Sequence, residues 1–255
     1  MGFPGSVLLN QGDIYKQTSD KRMPLGTRGY TRDGRVFRYA RAGGTALAVA
    51  VLCQAEAPLA GSQVGHYFRT VASSGDQSFS IRTGSSNSLT SANAYADGYM
   101  RVDYGTGAGQ QIQIKSHTAA ATSATMVTVI AHDGEMLTAD AVATADSTAC
   151  VVGFVKNLYD DVIIHPVTTA TSAPLGVTPR NVTAAYYFWL QTWGPATVLC
   201  QAALTIGKSA MISTAAGAVV TVTTLAAGIT NSRIGTCIQV GAASHYGMVR
   251  LNLDP

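Results

Sequence analysis

Charge is scarce in this sequence: only 12% of the residues are Asp, Glu, Lys or Arg. Soluble globular chains ordinarily carry about 25% charged residues. A chain this poor in charge either shows water a large neutral face or buries that face against neighbours. The abundance of Ala, Gly, Thr, Ser and Val and a mean hydropathy of +0.17 favour the second arrangement, an assembly component. Long apolar runs are lacking too. The longest, Ala46 to Cys53, falls far short of the ~20 residues that cross a bilayer. No cleavable signal pattern opens the chain, so synthesis in a cytoplasm and no membrane partner are expected. Cysteine is sparse: Cys53, Cys150, Cys200 and Cys237 lie far apart, with no C-x-x-C pair and no His at ligand spacing. That argues against a zinc site or redox motif and for buried free thiols, although separation alone leaves a Cys53–Cys200 disulfide open. G-x-S-x-G, H-E-x-x-H and catalytic Cys/His signatures are missing as well. Neither enzyme chemistry nor a cofactor is expected.

What is present is unevenly placed. The first 50 residues hold Lys16, Lys21, Arg22, Arg28, Arg32, Arg35, Arg38 and Arg41 against Asp13, Asp20 and Asp33, a net +5, while the remainder is −2. A basic segment on a near-neutral body can seek an acidic protein surface or a phosphate backbone. The isoelectric point of about 8.7 is modest for a nucleic-acid binder. Tyr30, Phe37 and Tyr39 sit in a strand pattern that a β core explains, so no nucleic-acid partner is expected.

With 255 residues the chain can bury a substantial core in one large or two small domains. Residues 1–28 lack periodicity and mix glycine and proline with polar residues, which predicts an extended basic arm. Gly29 to Arg41 then reads as a hairpin turning at Asp33-Gly34, and its second strand, R-V-F-R-Y-A-R, has no cleanly polar face. Gly98 to Tyr104 and Gln110 to Lys115 form another hairpin around Gly105-Thr106-Gly107-Ala108-Gly109. Further short strands are expected at Thr125 to Ile130, Cys150 to Val155, Val162 to Ile164, Tyr186 to Gln191, Ser209 to Ser213, Ala218 to Thr223, Gly235 to Val240 and Met248 to Leu253. Many short strands between turn residues predict an all-β fold of one or two small sandwich or barrel domains. No amphipathic helix of three turns is found; the best candidate, Leu89 to Tyr95, is short and polar. V-L-C-Q-A occurs at Val51 to Ala55 and again at Val198 to Ala202, which suggests a duplicated β unit. The expected division is a β domain over 29–165, a linker or crossover over 166–179, and a smaller β domain over 180–255.

Several clusters could carry chemistry. Ala202 to Ser209 ends in G-K-S like a phosphate-binding loop, but Leu204 and Ile206 fill the loop and a strand pattern follows. Gly105 to Gly109 is glycine-rich but leads into a strand, not the helix a dinucleotide site needs. His132-Asp133-Gly134-Glu135 and the group Asp160, Asp161 and His165 bring imidazole and carboxylates together, yet each reads first as turn and strand-end chemistry. Asn181-Val182-Thr183 is a glycosylation sequon by pattern. Tyr186, Tyr187, Trp189 and Trp193 form the one dense aromatic patch, expected at a core or subunit interface and usable also for stacking on a sugar.

Three stretches resemble structural proteins encoded beside the major capsid protein of tailed bacteriophages: R-M-P-L-G-T-R-G-Y-T-R-D-G-R-V-F-R-Y-A-R-A-G-G (Arg22 to Gly44), Y-A-D-G-Y-M-R-V-D-Y-G-T-G-A-G (Tyr95 to Gly109) and Y-Y-F-W-L-Q-T-W-G-P-A (Tyr186 to Ala196). The block from I-G-K-S through I-G-T-C-I-Q-V is similar to the small β domain of some capsid decoration proteins. The resemblance implies a cement protein on the outer capsid surface of a virion. Such a protein would be a homo-oligomer, commonly a trimer, that bridges subunits of the major capsid protein. On this reading Lys21, Arg22, Arg28, Arg32, Arg35, Arg38 and Arg41 are the capsid-contact candidates, and the four aromatics are interface candidates. A carbohydrate-binding or host-adhesion module using Trp189 and Trp193 is the alternative. A hydrolase would have to rest on the His132 to Glu135 cluster.

Overall fold

The computed structural model describes residues 5–84, 89–122, 125–141, 150–167, 170–222 and 232–255. Parts of the expected arm (1–4), linker (168–169) and one strand (Thr223) lie outside the described residues. The all-β expectation holds: the two described helices are four residues each. In chain order the elements are β1 (Ser6–Leu8), α1 (Gln11–Ile14), β2 (Gln17–Thr18), β3 (Arg28–Tyr30), β4 (Val36–Arg41) and β5 (Leu52–Gln54). Next come α2 (Ala60–Gln63), β6 (His66–Phe68), β7 (Ser78–Arg82), β8 (Tyr99–Tyr104), β9 (Gln111–His117), β10 (Met126–Ala131) and β11 (Val151–Val155). The last are β12 (Ile163–Ile164), β13 (Pro174–Val177), β14 (Tyr187–Leu199), β15 (Ser209–Ile212), β16 (Val219–Thr221), β17 (Arg233–Gln239) and β18 (Tyr246–Asn252).

The chain forms two compact units, and the second interrupts the first in sequence: Met1–Ala57 with Leu158–Pro255, and Pro58–Asn157. The boundary expected near 166–179 is therefore corrected. β5 pairs antiparallel with both β12 and β13, so residues on either side of the insertion complete one sheet. β13 itself lies inside the expected linker, with Leu175 and Val177 buried. Its four residues are nearly all buried, so they show no period-2 alternation, and Pro174 stands at the first strand position where proline is tolerated. The two V-L-C-Q-A copies do not head separate units. Both belong to this sheet, where the Leu199 N–H donates to the Ala50 carbonyl at 2.8 Å.

The inserted unit is a closed antiparallel barrel in the order β10-β7-β6-β11-β8-β9, with β9 returning to β10. Strict alternation builds it: in β10, Val127, Val129 and Ala131 point inward while Met126, Thr128 and Ile130 are exposed. Phe68, Phe79, Tyr95 and Phe154 fill the interior. Closure leaves the barrel no open edge of unpaired backbone.

The interrupted unit is a twelve-stranded sheet whose main path is β1-β3-β4-β14-β18-β17-β15-β16. The expected Asp33-Gly34 hairpin is β3–β4, with Tyr30 opposite Val36. β14 continues eight residues past the end of the expected strand at Gln191, passing through Gly194-Pro195 to Leu199. The register between β4 and β14 shifts at Gln191 to Trp193. There the Gln191 side-chain amide donates to the carbonyls of Trp193 and Pro195 at 3.2 and 2.7 Å.

The extended arm expected over residues 1–28 is also corrected. β1 pairs in parallel with β3, and Leu9, Ile14 and Leu25 are buried in one cluster with Phe37, Tyr39 and Trp189. The contact is close: a Cβ on Gly29 would lie 2.5 Å from Leu9 Cδ1 and 2.8 Å from Trp189 Cζ3, so only glycine lets the segment settle there.

Candidate interaction surface

The hairpin β3–β4 decides what the basic residues can do. Along β4 both faces are buried at Val36, Phe37, Tyr39 and Ala40, and the intervening Arg38 and Arg41 are half-buried. Arg41 Nε meets Asp160 Oδ1 at 2.6 Å and its Nη2 meets Asp161 Oδ1 at 2.8 Å. Burial works against the Arg41 cation, but these two carboxylates outweigh it and hold the guanidinium charged. Arg38 Nη2 meets Asp254 Oδ1 at 2.5 Å, and the guanidinium also donates to the carbonyls of Pro255 and Gly26. Tyr159 donates its hydroxyl to the other Asp254 oxygen, so Arg38 and Tyr159 together hold the C-terminal end. Burial and that carboxylate both push the Tyr159 phenol up. Arg35 Nε pairs with Asp33 Oδ2 at 2.8 Å, with its guanidinium 5.8 Å from the Phe37 ring. Hydrogen bonding from Thr31, then from Arg35, holds the Asp33 carboxyl below its usual range.

Of the seven capsid-contact candidates, Arg35, Arg38 and Arg41 therefore serve the fold. Arg28 stands 5.7 Å over the Tyr30 ring, and Arg22 makes a loose 3.7 Å pair with Asp20 while its backbone N–H donates to the Tyr39 hydroxyl. Lys21, Arg22 and Arg32 have exposed side chains.

The aromatic candidates divide in the same way. Trp189 is only 4% exposed, edge-on to Tyr39 at 5.3 Å, and has no face to offer a sugar ring. Tyr187 is half-buried and stacks on Tyr39 at 5.8 Å. Tyr186 and Trp193 are half-buried, the latter opposite Asn252 of β18 and Val36 of β4.

Grooves on this unit include two near the hairpin β3–β4. One of about 320 Å³ has Leu8, Met23, Tyr187 and Trp189 in its wall and Lys16, Asp13 and Arg22 among its polar residues. The other, about 520 Å³, is lined by Tyr15, Arg35, Gln191, Pro195, Tyr246 and Met248 among others. Leu8, Tyr15 and Met23 escaped sequence reasoning because they sit in a segment without periodicity. Met248 was legible only as a strand residue, and Tyr246 lies just before that expected strand.

The other clusters resolve into turns and core. His132 to Glu135 is a β-turn, its Glu135 N–H donating to the His132 carbonyl, with Asp133 paired to Lys115 at 2.6 Å. Gly105 to Gly109 joins β8 to β9, and Gly207-Lys208 is a turn leading into β15, with no helix to receive a phosphate. Asp160 and Asp161 are taken by Arg41, while His165 is fully buried with neither ring nitrogen hydrogen-bonded. The Asn181 side chain accepts from the Val49 N–H at 2.7 Å. All four cysteines are free and buried, Cys53 and Cys200 included, and burial pushes their thiols up. Among the described residues no group of three or more His, Cys, Asp and Glu side chains could hold a metal ion.

Family models, curated proteins and solved structures give no match to this chain.

Proposed function

We propose that this protein is a structural component of a tailed-bacteriophage particle, a homo-oligomer, trimeric on the resemblance above, that decorates the outside of the capsid and bridges subunits of the major capsid protein. The observation that carries the reading is the surface. In a chain with 12% charged residues, seventeen large apolar or aromatic side chains, among them Tyr15, Tyr104, Met126, Ile206 and Tyr246, are more than a third exposed among the described residues. A monomer showing that much apolar surface on so little charge is prone to associate, whereas an assembly component covers it. Affinity for a lattice then comes from repetition. A weak contact made once per subunit gains by effective concentration when several subunits are joined.

Quantitative mass spectrometry of purified particles tests this through the copy number relative to the major capsid protein. A ratio near one or one-third supports decoration across the lattice. A handful of copies per particle, or none, refutes it.

A further inference from the structure

Between Val162 and Leu253 there is no Asp or Glu, although the chain's 14 acids spread evenly over 255 residues would put about five in those 92 positions. The interrupted sheet unit accordingly holds twelve Lys/Arg against seven Asp/Glu, +5, and the inserted barrel five against seven, −2. Most of the sheet unit's acids are already engaged: Asp13, Asp20, Asp33, Asp160, Asp161 and Asp254 all pair with cations of the first 41 residues. Four further cations lie in the acid-free stretch. Arg180 is occupied with the carbonyls of Tyr15 and Asn181, but Lys208, Arg233 and Arg250 are exposed, with no carboxylate in ion-pair reach among the described residues.

Strand register brings these three together. Arg250 on β18 faces Thr236 on β17, and Arg233 is three residues from Thr236 along the same strand. The Cys237 N–H donates to the Lys208 carbonyl at 2.9 Å, which puts Lys208 on the far side of β17 from Arg250. At ~4.8 Å per strand and ~3.3 Å per residue, the three backbones fall within about 10–15 Å of one another. Exposed Ile206, Ile238 and Tyr246 stand in the same region, Ile238 on β17 and Tyr246 on β18.

We infer that this acid-free face binds an acidic protein surface, with Lys208, Arg233 and Arg250 meeting Asp and Glu carboxylates while Ile206, Ile238 and Tyr246 exclude water around the pairs. Three separated cations with apolar residues between them suit scattered carboxylates. A duplex presents a charge every ~1.7 Å, and proteins that track it commonly make some 6–10 phosphate contacts. The proposal concerns the isolated chain's own surface and does not depend on the decoration reading, so each can fail without the other.

The test is binding of labelled poly-L-glutamate to the full chain at low salt, with duplex DNA as competitor. Wild type is expected to bind the polypeptide in a salt-sensitive way and to prefer it over DNA. The variant R233E/R250E should lose at least about tenfold in affinity, and R233Q/R250Q should lose less but in the same direction. R22E/R32E, which reverses exposed cations elsewhere, should change affinity less than about twofold. All the substituted side chains are exposed, and the unfolding midpoint of each variant confirms that the fold is kept. Unchanged binding by R233E/R250E, preference for DNA, or binding of neither probe would overturn the inference.

Discussion

Removing residues 1–28 distinguishes an arm from a part of the core. An arm can be deleted without harm to the body that carries it. Here the deletion strips Leu9, Ile14 and Leu25 from a cluster where each is less than a tenth exposed, and removes β1 from β3. At about 1.5–3 kcal/mol for each fully buried aliphatic side chain, the apolar loss alone is about 5–9 kcal/mol. A whole domain is commonly stable by only about 5–15 kcal/mol. The deletion also uncovers Phe37, Tyr39 and Trp189. The expected outcome is that the sheet unit no longer folds cooperatively. Tryptophan fluorescence reads this cleanly, because both tryptophans, Trp189 and Trp193, belong to the sheet unit and none to the barrel. Urea titration should show a lost or greatly lowered transition in the truncated chain. In the full chain, Ile14→Ala should cost about 2–5 kcal/mol and Ile14→Val about 0.5–1.5. If the truncated protein keeps its emission maximum and unfolds within about 1 kcal/mol of wild type, the segment is an arm after all and this account of the core is wrong.

Two further outcomes are expected. Burial lowers the pKa of His66, His117 and His165, so the unfolded chain takes up protons first as pH falls below about 6.5. Stability is then full above that pH and declines below it, by up to about 1.4 kcal/mol per pH unit for each histidine, until the folded forms also protonate. Calorimetry between neutral pH and pH 5 checks this, and a flat profile would show that these rings are not held neutral. Replacing Arg41 by Met removes its guanidinium from Asp160 and Asp161, and part-exposure of the group limits the cost to about 1–3 kcal/mol. Adding Asp160→Asn to that variant should recover part of the loss in urea titration, and no recovery would mean that Arg41 acts by packing alone.

What could be read from the sequence was whatever is local. The Asp33-Gly34 and Gly105 to Gly109 turns announced their hairpins because a glycine-built loop between alternating strands has few other uses. β10 and β17 were legible because much of one face meets water. β13 was not, since a strand buried on both sides loses the alternation that marks it. The N-terminal segment misled for a different reason: Leu9, Ile14 and Leu25 follow no period, and their burial is dictated by the shape of the Trp189 face, which forms only when β14 pairs with β4. The same pairing explains the basic residues. Charge density in the first 50 residues was plain, but the carboxylate partners of Arg38 and Arg41 lie 119 to 216 residues away, at Asp160, Asp161 and Asp254. Spacing along the chain could not reveal that.

The interruption of the sheet unit also sets a timetable. A ribosome adds about 5–20 residues per second, so once Ala57 has emerged, roughly 5–20 s pass before Leu158 follows. Only at the end of that interval, with β11, does the barrel have every strand it needs, and β3, β4 and β5 still wait without β12, β13 and β14. Phe37, Tyr39 and Leu52 stay uncovered throughout, on strands whose edges are open to any passing chain. The nascent protein is thus most vulnerable to aggregation midway through synthesis, with a finished module in its middle and an unfinished one at its start.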